Sequence, residues 1–398
     1  MRNFTFYVPT EVEFGKDTEN KVADLIKKHG GSRVLVVYGG GSALKSGLLD
    51  RIYSRLKEGG IPYESIGGVK PNPTLALARQ GVAQALAMKA DFILAIGGGS
   101  VIDTAKGIAH GNANPGTDIW DFWTGKVSLR KTTPVGVVLT IPAAGSETSA
   151  SAVLTNTEIG QKRGLSSEFN RPAFAILNPE LTFTLPVYQV ACGITDILMH
   201  TLDRYFVPEE DNETSDALAE ALLRTVIRNG AKAIKNTHDY QAMSELMWCG
   251  SLSHNTITGL GSRGDWAVHQ LGHELSAKYD VAHGASLSVM WKSWAHYVYP
   301  ANPRRFARYA REVWGIGANG DDEKTALAGI NATVSYFKSL GMPTNFQELG
   351  IGPLQDAELD ELAYRCTYFG ARTIGNLLVL DQKKIRDVYA LANKDGRS

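Results

Sequence analysis

Apolar runs and amphipathic segments alternate along the first half of the chain. Apolar runs that stop at turn residues are typical of buried parallel strands, and they occur at 33–38, 91–96 and 134–141. A short aromatic strand is also predicted at Asn3–Val8. Segments between the runs carry apolar residues at helical spacing, as in 48–56. This alternation predicts an α/β domain with a parallel sheet.

The pattern changes near residue 185, where strand-like runs give way to helical spacing alone. Amphipathic helices are predicted at 187–206, 215–235 and 322–340, because each segment repeats its apolar residues every three to four positions. A chain of 398 residues is also too long for one ordinary core. We therefore expect an α/β domain over residues 1–185 and an all-helical domain over residues 186–398.

The same four residues follow two of the predicted strands. These turns are Gly39-Gly40-Gly41-Ser42 and Gly97-Gly98-Gly99-Ser100, and each leads directly into a predicted helix. Glycines at such turns allow positive φ and close approach to a phosphate, and the helix N-terminus adds unpaired N–H groups. Neither turn matches the usual G-x-G-x-x-G fingerprint. The repeated turn nevertheless indicates a dinucleotide-binding domain.

A group of acidic and imidazole side chains lies in the helical half. Asp196 and His200 are four residues apart, as are His269 and His273, and an isolated His283 follows. Residues four apart project from one face of a helix. Their neighbours are small or apolar, and a buried carboxylate is costly without a partner. One carboxylate and several imidazoles favour a site for a divalent metal ion.

Composition excludes several classes of partner. Lys plus Arg and Asp plus Glu number 41 each, so the zero net charge gives no electrostatic argument for nucleic acid or a charged membrane. The chain has no long apolar run and no apolar leader at its start, so we expect neither a membrane span nor a signal peptide. Cys192, Cys249 and Cys366 are odd in number and far apart, which predicts reduced thiols and a cytoplasmic protein.

Polar residues near the second glycine turn have two interpretations each. Asp103 is either a helix cap or a hydrogen-bond partner for a cofactor ribose or amide. Lys162, expected at the tip of a hairpin, is either a solvated charge or a phosphate contact. Residues 143–149 are small and hydroxylic, which suits a segment that lies against a ligand.

Together, these motifs resemble those of the iron-containing (group III) alcohol dehydrogenases over essentially the whole chain. They are GGGSVIDTAK (97–106), T-x-P-x-x-G-S-E (140–147), G-x-x-D-x-x-x-H (193–200), H-x-x-x-H (269–273) and HG (283–284). Three further segments resemble the NADPH-dependent aldehyde reductase and butanol dehydrogenase branch: YGGGSALKSG (38–47), PNP (71–73) and DWAVHQLGHEL (265–275).

The resemblance implies a dehydroquinate synthase-like fold, with an α/β N-terminal dinucleotide-binding domain and an all-α C-terminal metal-binding domain. It also implies hydride transfer between a nicotinamide cofactor and primary alcohols or aldehydes, by a homodimer. The implied ligands of one Fe²⁺ or Zn²⁺ are Asp196, His200, His269 and His283. The implied catalytic residues are His273, as a proton relay, and Asp103, on the nicotinamide side. The other implied cofactor contacts are Gly97, Gly98, Gly99, Ser100, Thr140, Ser149 and Lys162.

The chain departs from the family pattern at the first glycine turn. Many family members place an Asp there to bind the adenosine ribose of NAD, whereas this chain has Gly39, Gly40, Gly41 and Ser42. A carboxylate would repel a 2′-phosphate, and small residues with a hydroxyl admit one. We therefore expect NADP(H) rather than NAD, with these four residues in contact with the adenosine end of the cofactor. Thr195 replaces the usual Val, and the Leu-Pro that commonly follows the last histidine is absent, so the substrate pocket differs in shape.

Three other functions are compatible with parts of the pattern. A metal-dependent lyase or synthase of the dehydroquinate synthase type would recycle bound NAD, although its metal set is usually a Glu with two His. A metallohydrolase would leave the doubled glycine turn without a role. A purely structural or binding protein would leave the Asp and His groups on apolar helix faces unexplained.

Overall fold

The computed structural model of the chain describes residues 1–209, 211–317 and 320–394, and of Ser42 it describes the backbone alone. These residues form two compact units. One, which we call the α/β unit, consists of Tyr7–Pro186 and Thr237–Asn255. The other, which we call the helical unit, consists of Met1–Phe6, Val187–Asn236 and the chain from Thr256 onward.

The strands of the described residues all precede the first long helix of the helical unit. They are β1 (Glu11–Phe14), β2 (Val34–Tyr38), β3 (Tyr63–Ile66), β4 (Phe92–Gly97), β5 (Val135–Leu139), β6 (Ser151–Asn156), β7 (Gln161–Ser166) and β8 (Phe174–Leu177).

The α-helices of the described residues begin at Val22 and end at Lys394. They are α1 (Val22–Lys28), α2 (Gly41–Lys45), α3 (Leu48–Glu58), α4 (Leu75–Ala87), α5 (Gly99–Ala113), α6 (Ile119–Trp123), α7 (Val187–Tyr205), α8 (Glu213–Lys235), α9 (Tyr240–His254), α10 (Ala267–Tyr279), α11 (His283–Val298), α12 (Pro303–Trp314), α13 (Asp322–Ser339), α14 (Phe346–Leu349), α15 (Asp356–Cys366) and α16 (Gln382–Lys394).

Six strands of the α/β unit form one parallel sheet in the order β1-β8-β5-β4-β2-β3. Alternate residues of β2 face opposite sides, so Val34 and Val36 join a core with α1 and α3 while Leu35 and Val37 join a core with α5. Both faces are covered, which explains why the central strands read as continuous apolar runs. The predicted parallel sheet is confirmed.

The prediction of a strand at Asn3–Val8 was wrong. The first strand is β1, which begins at Glu11 and pairs with β8 at one edge of the sheet. The aromatic residues that suggested the earlier strand are exposed instead: Phe4 is 50% exposed, Phe6 47% and Tyr7 54%. Alternating aromatic residues therefore marked an exposed segment rather than a half-buried strand.

The helical unit packs around a group of aromatic side chains. Phe206 stacks on Phe306 with ring centroids 4.2 Å apart and lies 5.4 Å from Trp291. The end of α7 is fixed beside this group, because Arg305 donates to the backbone oxygen of Tyr205 and to the carboxylate of Asp216. Beyond Pro186, the described residues form helices and turns, with one isolated bridge between Ile374 and Leu380. The expected helical half is thus confirmed.

The boundary at residue 185 remains a prediction about domains, and the compact units differ from it at two places. Met1–Phe6 belongs to the helical unit, and α9 belongs to the α/β unit. The side chain of Met247 on α9 lies in the same core as Leu35 and Ile93 of the sheet.

Among the described helices, none combines the length and apolar character needed to cross a bilayer.

Candidate metal centre and cofactor-binding loops

Three imidazole nitrogens converge on one carboxylate oxygen in the helical unit. Asp196 Oδ1 lies 3.4 Å from His200 Nδ1, 3.6 Å from His269 Nε2 and 3.7 Å from His283 Nε2. Ligand atoms about 2.1 Å from a common cation in a tetrahedron lie roughly 3.4 Å from one another. Asp196, His200 and His269 therefore offer ligand atoms that all lie within 4.8 Å of one another, the spacing of a metal centre, and His283 Nε2 lies beside the same carboxylate. Helix α7 supplies the first two, α10 the third, and the start of α11 the fourth.

The atoms of this group fit a cation. Asp196 Oδ1 and His269 Nε2 are buried and have no hydrogen-bond partner. Burial of a carboxylate oxygen and an imidazole nitrogen without partners is costly, and a bound cation would compensate both. One oxygen and three nitrogen ligands suit Fe²⁺ or Zn²⁺.

Asp203 holds His269 from the other side of its ring. His269 Nδ1 and Asp203 Oδ2 are 2.5 Å apart, and Asp203 lies one turn after His200 on α7. This bond keeps the proton on Nδ1 and leaves Nε2 for a cation. Burial lowers the pKa of His269, but Asp196 and Asp203 outweigh it and raise that pKa to about 9. A cation at Nε2 would therefore replace a proton.

Asp265 fixes the segment that leads into α10. Its oxygens accept hydrogen bonds from the backbone N–H groups of Ala267, Asn376 and Leu377. Burial and the nearby Asp203 raise the pKa of this carboxyl to about 7. The start of the helix that carries His269 is thus tied to a distant loop of the same unit.

Gly284 lets the start of α11 approach α7 closely. A Cβ at this position would lie 2.3 Å from the backbone oxygen of Cys192 and 2.6 Å from its Cα. Real Cβ atoms do not come so near to backbone atoms, so any larger residue would push His283 away from Asp196. The Cys192 side chain is mostly buried and burial raises its pKa to about 11, so it stays a thiol and packs.

Two further aromatic rings flank the ligands. The Trp266 ring lies 5.4 Å from that of His269, and the Arg204 guanidinium lies over the indole at 4.4 Å. Trp266 has φ of +62°, a strained conformation for a bulky residue. His273, the predicted proton relay, is buried, and its ring lies 5.4 Å from that of His283 and 6.3 Å from that of His269.

The second glycine turn lies at the carboxyl end of β4, in the α/β unit. Helix α5 begins at Gly99, its N-cap Gly98 makes no side-chain cap, and its first turn holds no acid. Ser100 lies in that first turn, where α5 offers backbone N–H groups and partial positive charge to an anion. Thr140 lies beside the turn, because its N–H donates to Gly97 O at 3.1 Å.

The expectation that these glycines supply positive φ was wrong. Neither glycine turn contains a residue with positive φ. In the second turn the glycines are needed for close packing: a Cβ on Gly98 would lie 2.0 Å from Ile141 Cγ2, and one on Gly99 would lie 2.8 Å from Ala144 Cβ. The turn and the segment after β5 therefore form one closely packed structure.

The first glycine turn is more open. Nothing lies within 4 Å of a Cβ built on Gly40, and the nearest atoms to one on Gly39 or Gly41 are 3.5 Å away. Larger side chains therefore fit here without strain. The side chain of Ser42, also predicted to contact the cofactor, is outside what the structure describes.

Asp103 is not a helix cap. It lies inside α5, where its Oδ1 accepts from Ser146 Oγ at 2.6 Å and its Oδ2 accepts from Val153 N at 2.9 Å. Burial raises the pKa of this carboxyl, and the Lys106 ammonium opposes that rise. The side chain is half-buried and its orientation is set by two fixed donors.

Ser149 and Lys162 differ from their expected environments. The Ser149 side chain is fully buried and bonds to the backbone of Ser151, so it supports its own loop. Lys162 pairs with Thr155 within the β6–β7 hairpin rather than at its tip. It is 6% exposed, and its Nζ donates to Asn72 Oδ1 at 2.9 Å. A solvated charge is therefore excluded.

Comparison with known proteins agrees with this architecture. The model of the iron-containing alcohol dehydrogenase family matches residues 9–179, and that of the family's C-terminal region matches residues 190–392. The chain is 38% identical over 390 residues to NADH-dependent butanol dehydrogenase A of Clostridium acetobutylicum, covering 98% of this chain and 99% of the relative. It is 36% identical over 353 residues to the NADPH-dependent aldehyde reductase YqhD of Escherichia coli, covering 88% and 90%.

One solved structure is also similar to this chain in both fold and sequence. The crystal structure of NADH-dependent butanol dehydrogenase A from Thermotoga maritima has a TM-score of 0.95 and 36% identity, and the match covers 99% of each chain. These similarities span both units and reach almost every residue of the relatives. The chain belongs to the iron-containing alcohol dehydrogenase family.

Loss of a metal ligand should weaken metal binding more than loss of the charged residue that orients that ligand. We expect His269→Ala to lose the bound metal, because only Asp196 and two imidazoles remain as ligands and the buried Asp203 loses its imidazole partner. We expect Asp203→Asn to weaken metal binding by about 10–100-fold, since a neutral partner orients His269 less strongly. Competition with a chromogenic chelator measures both, and His29→Ala, a histidine of the α/β unit, is the control. If the wild type and both variants bound the metal with equal affinity, His269 and Asp203 would not belong to a metal site.

Proposed function

We propose that the protein is a metal-dependent alcohol dehydrogenase and aldehyde reductase that exchanges a hydride between a nicotinamide dinucleotide and a primary alcohol or aldehyde. One observation carries the proposal: a buried carboxylate and three imidazoles converge with metal-ligand spacing in a chain that also has a strand–GGGS–helix turn. The names of the family and of the relatives agree with it. A lyase or hydrolase is not favoured by any of these observations.

The metal would be held by Asp196, His200, His269 and His283, with Asp203 keeping His269 in the required tautomer. A divalent cation in that position supplies a Lewis acid for the substrate oxygen, and the reduced nicotinamide supplies the hydride. His273 is buried beside His283, so its imidazole is placed to hold and pass the proton that the substrate oxygen gains on reduction.

The α/β unit would bind the dinucleotide at the carboxyl ends of β4 and β5. The pyrophosphate would lie against Gly97, Gly98, Gly99 and Ser100, where the N-terminus of α5 favours negative charge. Asp103 and Thr140 would lie along the nicotinamide half. Lys162 is close enough to lower the pKa of Asp103, so its ammonium adds positive charge to the same region.

We favour NADP(H) as the cofactor. The relatives divide on this point, since the butanol dehydrogenase is named as NADH-dependent and the aldehyde reductase as NADPH-dependent. Gly39 to Gly41 leave open space after β2, and that turn holds no carboxylate that would repel a 2′-phosphate.

The three thiols are free in the structure, which supports a reducing, cytoplasmic environment.

We also propose a homodimer in which the N-terminal segment contributes to the contact. β1 is an edge strand of the sheet, and the exposed Phe4, Phe6 and Tyr7 immediately precede it. Exposed aromatic side chains and an exposed edge strand each favour association. Sedimentation velocity should show a dimer that a Phe4→Ser, Phe6→Ser, Tyr7→Ser variant weakens. A wild-type monomer at micromolar concentration would contradict this.

The activity is tested most simply with purified protein loaded with Fe²⁺ or Zn²⁺. We expect NADPH oxidation that requires both an aliphatic aldehyde, such as butanal, and the metal, and that a chelator abolishes. Initial rates with a series of aldehydes, measured together with metal content, provide the check. Metal-loaded protein that consumes no reduced dinucleotide with any aldehyde would contradict the proposed function.

The cofactor preference is tested at Gly40. We expect Gly40→Asp to fold normally, because nothing lies within 4 Å of its Cβ, and to shift preference toward NADH by repelling the 2′-phosphate. Gly40→Asn has nearly the same shape without the charge and is the matched control. The ratio of kcat/KM for NADPH to that for NADH is the measurement. If both variants keep the wild-type ratio, the adenosine end lies elsewhere.

A further inference from the structure

The ammonium group of Lys106 is enclosed in the α/β unit, in a position that the proposed chemistry does not use. The side chain is 0% exposed, and Lys is rarely buried so completely without partners. Its Nζ donates to Ser151 O at 2.7 Å and to both Ser146 O and Ser146 Oγ at 2.8 Å, with Ser149 O at 3.4 Å. The three short contacts match the three N–H groups of an ammonium.

All of these acceptors belong to one segment, residues 143–151, which we call the β5–β6 loop. The loop packs directly on the second glycine turn, because a Cβ built on Gly99 would lie only 2.8 Å from Ala144 Cβ. A displacement of the loop would therefore open or close the space beside the α5 N-terminus. Lys106, on helix α5, holds that loop through its hydrogen bonds to Ser146, Ser149 and Ser151.

Lys106 is also connected to Asp103 through one hydroxyl. Ser146 Oγ accepts from Lys106 Nζ and donates to Asp103 Oδ1 at 2.6 Å. Because the ammonium can only donate and the carboxylate can only accept, the hydroxyl proton points to the carboxylate. The orientation of Asp103 thus depends on a residue one helical turn farther along α5.

Other residues of the loop are held by Arg171 and by α9. Arg171 Nη1 donates to Thr148 O at 2.8 Å, and Ser251 Oγ on α9 donates to Glu147 Oε1 at 2.6 Å. Gly145, with φ of +62°, allows α9 to come within 2.5 Å of where its Cβ would lie. Together with the bond from Ser146 to Asp103, Lys106 ties this loop to helix α5, at which the dinucleotide is proposed to bind.

From this geometry we propose that Lys106 is a positioning residue for the dinucleotide: it fixes the β5–β6 loop and, through Ser146, the Asp103 carboxylate. The inference rests on the proposed function. Lys106 does not touch the cofactor in this account and acts only through Ser146, Ser149 and Ser151. Burial lowers the pKa of Lys106 to about 8, while Asp103 and Glu147 support its charged form.

The test compares NADPH binding by the metal-loaded wild type and Lys106→Met, measured by the fluorescence of NADPH. Methionine is unbranched and apolar and only one heavy atom shorter than lysine, but it lacks the three donors. We expect the dissociation constant for NADPH to rise by about tenfold or more, since bonds from a charged donor are lost. Metal content should stay at the wild-type level, and the KM for the aldehyde should change less than that for NADPH.

Asn112→Ala is the matched control on the same helix. Asn112 Nδ2 donates to Ala90 O at 2.9 Å and to Thr133 Oγ1 at 2.8 Å, and neither acceptor belongs to the β5–β6 loop. We expect this variant to lower the melting temperature without changing NADPH affinity. If Lys106→Met lowers only the melting temperature and binds NADPH within about twofold of wild type, the lysine is structural and the inference is overturned.

A second variant keeps the inference testable if Lys106→Met does not fold. Ser146→Ala removes one acceptor of Lys106 and one donor to Asp103 while it leaves the ammonium bonded to Ser151 and the Ser146 carbonyl. We expect weaker NADPH binding in the same direction, and wild-type affinity would overturn the inference. A wild-type protein that binds neither NADPH nor NADH would instead remove the proposed function itself.

Discussion

The buried carboxylate of Asp196 is the constraint on which the helical unit depends. Its Oδ1 has no hydrogen-bond partner, yet three imidazole nitrogens lie within 3.7 Å of it. Negative charge in such a place is tolerated only when a cation or protons compensate it. The close approach at Gly284 and the bond from His269 to Asp203 both preserve this arrangement. The same features that cost stability in the folded chain therefore suit the proposed metal site.

The α/β unit contains a comparable buried polar group with the opposite charge. The Lys106 ammonium is surrounded by oxygen atoms of the β5–β6 loop, and the carboxylates of Asp103 and Glu147 lie near it. Gly99 brings the second glycine turn against this loop. In each unit, then, the chemistry of the proposed site depends on a buried charge and on a glycine that permits close backbone packing.

Features with a local period could be predicted from the sequence, and contacts between distant segments could not. The spacing of Asp196 and His200 placed both on one helix face, and the apolar runs located the parallel strands. Asp203 was missed, although it follows His200 by three residues, because its partner His269 is 66 positions away. The loop contacts of Lys106 span 40–45 positions and were missed for the same reason. The glycine turns were recognised, but neither contains a residue with positive φ, and only the second needs its glycines for close packing.

X-ray absorption spectroscopy of the metal-loaded protein tests the central claim most directly, because it reports the atoms bound to the cation. We expect one carboxylate oxygen and three imidazole nitrogens at about 2.0–2.2 Å, with the multiple-scattering pattern of histidine. In His283→Ala the imidazole contribution should fall by one third. A spectrum with a sulfur ligand, or with water oxygens alone, would contradict the proposal that Asp196 and the three histidines bind the metal.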